Sequence, residues 1–241
     1  FTIIIQTEDV GGSLHSFLRI IEGEDADLAW EVDLGETDEI KASPVVVDLD
    51  YDGKQEIIVS FDLSGTFYVK GYSPELICTV TGWSAGGSHV TELLWTYSDS
   101  TLMIGSTDGP YVSSAYGGHK PTAQPLLADL DLDGTAELVL SLIEKNSDDP
   151  VILALDITGS SATSIWEKTL DKGTHPSDPA FLQTDENTAF VILTSVQSST
   201  SAMWLWKLDA SDGDSNWDGK SLENLNGFDS NVPHIRLPGP V

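Results

Sequence analysis

The chain has 241 residues, with 39 acidic against 11 Lys and Arg side chains and a formal net charge of −28. An acidic excess of this size repels phosphate backbones, which excludes nucleic acid as a partner and opposes contact with an anionic membrane surface. The length suits one β domain with a substantial core, the single cysteine (Cys78) excludes an internal disulfide, and no apolar run is long enough to span a bilayer.

The first residues, Phe1-Thr2-Ile3-Ile4-Ile5, predict a strand, and the absence of a starting Met or a charged-then-apolar leader suggests a processed or excised chain. Next, Phe17-Leu18-Arg19-Ile20-Ile21-Glu22-Gly23 reads as an apolar strand and a Gly turn leading to Trp30. The same mark returns at Phe67-Tyr68-Val69-Lys70 leading to Trp95, at Val151 to Gly159 leading to Trp166, and at Trp204-Leu205-Trp206 leading to Trp217. A recurring apolar strand, turn and Trp predicts repeated sheet units whose tryptophans fill the packing between units.

Two acidic loops organise the repeats. Ser43-Pro44-Val45-Val46-Val47 leads into Asp48-Leu49-Asp50-Tyr51-Asp52-Gly53-Lys54-Gln55-Glu56, and Gln124-Pro125-Leu126-Leu127-Ala128 leads into Asp129-Leu130-Asp131-Leu132-Asp133-Gly134-Thr135-Ala136-Glu137. Carboxylates at positions 1, 3 and 5 converge if the chain turns at the Gly of position 6. The carbonyls of Lys54 and Thr135 at position 7 and the Glu at position 9 then complete an oxygen shell of the kind that holds Ca²⁺. Mg²⁺ is disfavoured by its stricter octahedral demand. An EF-hand is excluded because Val59 and Leu140 occupy its twelfth position inside strand-like runs. The expected metal ligands are therefore Asp48, Asp50, Asp52, Lys54 and Glu56 in one site and Asp129, Asp131, Asp133, Thr135 and Glu137 in the other, each ion having a structural role. The competing reading is an Asp-Gly hairpin with solvated charge.

Pro followed by three apolar residues, Asp-x-Asp-x-Asp-Gly-x-x-Glu and a further apolar strand resembles the FG-GAP (VCBS-type) repeat of β-propellers such as integrin α-subunits. Leu153 to Trp166 is also similar to quinoprotein-like propeller repeats. The resemblance implies an all-β propeller of four-stranded antiparallel blades, either a closed four-bladed ring or part of a larger propeller. The whole chain would be one domain, with blade-equivalents at 1–35 plus 234–241, 42–98, 123–171 and 177–221 and an insertion at 98–120. Pairing of the last strand, Pro238-Gly239-Pro240-Val241, with the first would close the ring. The resemblance further implies a non-catalytic, extracellular or cell-surface module for adhesion or recognition of a protein or glycan. Alternatives are a polysaccharide lyase or hydrolase, for which basic residues are few, and a scaffold within a larger surface assembly.

Other features are weaker. Gln183, Asp185, Asn187 and Thr188 stand where a third acidic loop would have Asp48, Asp50, Asp52 and Gly53, which predicts a decayed site. The turn with Asp212, Asp214, Asn216 and Asp218 reads as a solvated hairpin or a further metal site. Thr107, Tyr111 and Tyr116 in the insertion are candidate ligand contacts, against a plain surface loop. Gly82-Trp83-Ser84-Ala85-Gly86 matches a nucleophile elbow but lies between predicted strands, which argues against catalysis by Ser84. His119, His175 and His234 precede Pro125, Pro179 and Pro240 and could ring one face as metal or ligand contacts, or hydrogen-bond between units.

Overall fold

In a computed structural model of the protein, the residues described are 1–23, 26–40, 42–49, 53–74, 91–104, 124–147, 149–173, 175–197 and 202–221. All regular structure among them is strand, arranged as four antiparallel sheets. Contacts divide the chain into two compact units, Phe1–Asp99 with Gly159–Ser161, and Ser100–Thr158 with Ala162–Val241.

In the first unit, β1 (Thr2–Val10), β2 (Ser13–Ile21) and β3 (Leu28–Gly35) form a three-stranded meander. The β1–β2 hairpin turns on Gly11 and Gly12, both at positive φ, as a two-residue connection of matching twist requires. Along β2, Leu18 and Ile20 face inward, whereas Arg19 faces outward to Gln6, Glu8 and Glu31. The second sheet begins with two short pieces, β4 (Thr37–Glu39) and β5 (Val45–Val47), both paired with β6 (Glu56–Leu63), and continues through β7 (Thr66–Pro74) to β8 (Thr91–Asp99).

The second unit repeats this plan twice. β9 (Leu102–Met103) and β10 (Leu126–Ala128) both pair with β11 (Glu137–Glu144), followed by β12 (Pro150–Thr158) and β13 (Ser161–Thr169). Likewise β14 (His175–Pro176) and β15 (Ala180–Asp185) pair with β16 (Thr188–Gln197), followed by β17 (Ala202–Asp209) and β18 (Ser215–Ser221). β5, β10 and β15 each start directly after a proline, Pro44, Pro125 and Pro179, because a residue without an N–H can open a ladder but not continue it.

The four sheets take their strands from 2–35, 37–99, 102–169 and 175–221, so β4, β9 and β14 fall outside the blade-equivalents expected at 42–98, 123–171 and 177–221. In the second, third and fourth sheets the first strand, expected as one Pro-led segment, is in two pieces. Ser98 and Asp99 end β8 and Leu102–Met103 pairs in the third sheet, while 105–120 of the expected insertion lie outside the described residues.

β6 and β11 are buried along nearly their whole length, as their unbroken apolar runs predict. In the first unit Leu18, Ile20 and Trp30 pack against Ile57, Val59, Phe61 and Tyr72, with Trp30 edge-on to Tyr72 at a centroid distance of 6.1 Å. In the second unit Val139, Ile152 and Trp166 pack against Val191, Leu193, Trp206 and Leu208, and Trp166 Nε1 donates to the Ala210 carbonyl at 2.8 Å. Trp30, Trp95, Trp166 and Trp217 each lie on the last strand of a sheet, and the first three are buried, as core packing requires.

Candidate metal site in the acidic loops

Each acidic loop joins the Pro-led strand of its sheet to the next strand: β5 to β6, and β10 to β11. The two loops share two hydrogen bonds at matching positions. Leu49 N–H donates to Glu56 Oε2 at 2.8 Å, and Leu130 N–H donates to Glu137 Oε2 at 2.6 Å. Gly53 N–H donates to Asp48 Oδ2 at 3.0 Å, and Gly134 N–H donates to Asp129 Oδ2 at 3.0 Å. The turn depends on glycine, since φ is +86° at Gly53 and +96° at Gly134, well outside the range that side chains tolerate.

The second loop brings Asp129, Asp131 and Glu137 together, with one carboxylate oxygen from each lying within 4.8 Å of the others. Glu137 is buried, one of its oxygens is fixed by Leu130, and Thr135 Oγ1 reaches the other at 3.3 Å. Burial pushes the Glu137 carboxyl above its ordinary pKa; the Leu130 N–H acts against this, and the neighbouring charges of Asp131 and Asp129 add to it. Asp133 lies outside the triad. Its Oδ1 accepts from the hydroxyl and the N–H of Thr135, which hold its pKa below the usual carboxylate value. Leu132, at φ +63°, is half-buried against the core of its unit and anchors the middle of the loop.

In the first loop Asp50 and Asp52 lie outside the described residues. Asp48 and Glu56 stand as Asp129 and Glu137 do, and Lys54 is exposed directly after the turn. Asp48 Oδ1 is buried with no hydrogen-bond partner among the described residues. A buried carboxylate oxygen in that state is costly unless a cation or a donor meets it. Hard oxygen donors converging at a glycine turn suit Ca²⁺, so the residues present fit such an ion; bound there, it would supply the positive charge that the clustered carboxylates lack.

The sequence left unremarked the apolar residue at position 2. Leu130 is buried in the core, and that burial aims its N–H at Glu137. The shared leucine at Leu49 and Leu130 was the available signal.

At the third loop position the chain makes a two-residue turn, Glu186 and Asn187, between β15 and β16, and Asp185 Oδ1 accepts the Asn187 N–H. No nine-residue loop exists there. At the acidic turn after β17, Asp209 Oδ1 accepts from Ser211 and Asp212 Oδ1 accepts the Asp214 N–H, so these carboxylates cap their own backbone. His175 lies on β14. Cys78, Ser84, Thr107, Tyr111, Tyr116, His119, His234 and the last strand expected at 238–241 lie outside the described residues.

No family model matches the chain, and no curated protein is similar to it.

Proposed function

We propose that this chain is a calcium-stabilised, non-catalytic recognition module of the FG-GAP propeller type, working at a cell surface or outside the cell on a protein or glycan ligand. The observation that carries the calcium assignment is the matched pair of loops, with the same two hydrogen bonds and, in the second, three converging carboxylates. Asp48, Asp50, Asp52, the Lys54 carbonyl and Glu56 hold one ion. Asp129, Asp131, Asp133, the Thr135 carbonyl and Glu137 hold the other, with Asp133 turning inward from Thr135 when the ion binds. Each ion relieves the repulsion among its carboxylates and fixes the Pro-led strand to the next strand of its sheet. That role is architectural, and it leaves exposed loops on a rigid frame for recognition.

Four sheets of antiparallel meander, each with its tryptophan on the last strand, support reading them as propeller blades. The test is thermal unfolding in calcium, in magnesium and in chelator. At a free calcium concentration about a hundredfold above the dissociation constant, each site adds about 2.7 kcal/mol of stability. The calcium-loaded protein should also retain its partners on a glycan and protein panel without releasing shortened or unsaturated products. An unfolding midpoint indifferent to chelation removes the calcium assignment, and turnover of a polysaccharide removes the non-catalytic one.

A further inference from the structure

The two sheets of the first unit are joined by a single residue: β3 ends at Gly35, β4 begins at Thr37, and Glu36 lies between them. The joint is held from both sides. Leu34 is buried in the core shared by the two sheets, and the Ser16 and Thr37 hydroxyls hydrogen-bond at 2.7 Å, tying the start of β4 to β2.

His15 meets this joint from β2. Its Nδ1 lies 2.8 Å from Asp33 Oδ2 on β3, and its Nε2 lies 3.8 Å from Glu36 Oε1. Asp33 is fixed from its other side as well, since its Oδ1 accepts the Gly35 N–H at 2.7 Å. Burial raises the Asp33 carboxyl, but the Gly35 N–H and His15 outweigh it and leave the carboxyl below its ordinary pKa. An ionised carboxylate only accepts, so in the neutral ring the hydrogen sits on Nδ1 and Nε2 presents a lone pair. That lone pair faces the second carboxylate. Neither atom can donate, and 3.8 Å is beyond hydrogen-bond distance.

We propose that His15 is a proton-operated clasp on the joint between the first and second sheets. With a proton on Nε2 the ring donates to Asp33 and to Glu36 together, binding β2, β3 and the connection to β4 in one contact. The Glu36 side chain, 63% exposed, has room to close the remaining distance. The charges around the ring are nearly all acidic: Glu8, opposite His15 in register, and Asp9 on β1, Glu31 and Asp33 on β3, and Asp38 and Glu39 in the sequence of β4. Among the described residues of these strands Arg19 is the only cation. It is engaged by Glu8 and Glu31, and it stacks on the far side of Phe17 from His15. The imidazolium therefore meets attraction rather than repulsion. Because the second bond exists only in the protonated ring, its stabilisation is present at acid pH and is lost as pH rises through the imidazole range.

The test is a double-mutant cycle on the full chain, with His15→Phe and Glu36→Ala made singly and together. Phe keeps the ring against Phe17 but has no nitrogen to donate. Urea unfolding is followed at about pH 5.5 and at about pH 8, and the cycle cancels whatever the other histidines contribute. At the acid pH the coupling should change the unfolding equilibrium constant by about two- to fivefold, the scale of an exposed ion pair. At the alkaline pH it should vanish, and ring-nitrogen NMR spectra should find the His15 hydrogen on Nδ1. The proposal is overturned by a coupling of equal size at both pH values, by no coupling at the acid pH, or by a hydrogen on Nε2 at the alkaline pH.

Discussion

The main-chain N–H of Leu130 donates to Glu137 Oε2 at 2.6 Å, and Leu49 repeats this bond to Glu56 at 2.8 Å. The Glu at the ninth loop position therefore holds the loop's second residue through its main chain. Glu137→Ala in chelator leaves that buried N–H without an acceptor and should cost about 1–3 kcal/mol in urea unfolding. Glu137→Gln keeps a carbonyl acceptor and should be close to neutral in chelator, yet it should lose most of the second loop's stabilisation by calcium. Equal behaviour of the two variants in chelator would show that the bond contributes little.

The two units treat their tryptophans differently. Trp166 Nε1 donates to Ala210, whereas the buried Nε1 of Trp30 has no partner among the described residues. Trp166→Phe thus removes a hydrogen bond and strands a carbonyl, at about 1–3 kcal/mol beyond the lost packing. Trp30→Phe removes an unsatisfied donor and should cost less. Chemical denaturation of both variants checks the order.

These elements divide by how local their cause is. The acidic loops, their glycine turns and the apolar runs of β6 and β11 were legible because each is set by adjacent residues. So was the placement of the tryptophans, since their recurrence reflects one position per sheet. The two-piece inner strand was not, because β4, β9 and β14 are two or three residues long and owe their pairing to β6, β11 and β16 rather than to any periodicity of their own. The turn that replaces a third loop was only half legible. Loss of the glycine and of two carboxylates announced a decayed site, but the collapse to Glu186 and Asn187 is set by the register of β15 on β16. Within the second loop, position counting assigns Asp133 to the ligand set; that its Oδ1 accepts the N–H and hydroxyl of Thr135 is not written in spacing.

Gly71 is required by a neighbour rather than by its backbone. A Cβ there would lie 2.4 Å from the Trp95 ring, which is itself buried. Gly71→Ala should destabilise by about 1–3 kcal/mol through overpacking, and Trp95→Leu in the same chain should recover part of that loss. Additive costs in a double-mutant cycle would refute the contact's role.

Tyr72 gives the first unit an alkaline limit. Burial pushes its phenol from 10.0 up to about 12. A raised pKa on an acid means that the folded state favours the neutral form. The associated stability is complete below the unfolded value and is lost as pH rises through the folded one. Unfolding free energy should therefore fall between about pH 10 and pH 12, and Tyr72→Phe should remove that part of the fall. An unchanged profile in the variant would place the alkaline loss elsewhere.

Calorimetric titration of calcium into chelator-stripped protein tests the central claim most directly. Two binding events are predicted for the intact chain and one for Asp131→Asn, whose unfolding midpoint in chelator should match that of the parent. Absence of binding heat together with an unchanged unfolding midpoint, or full stoichiometry retained in Asp131→Asn, would contradict the account.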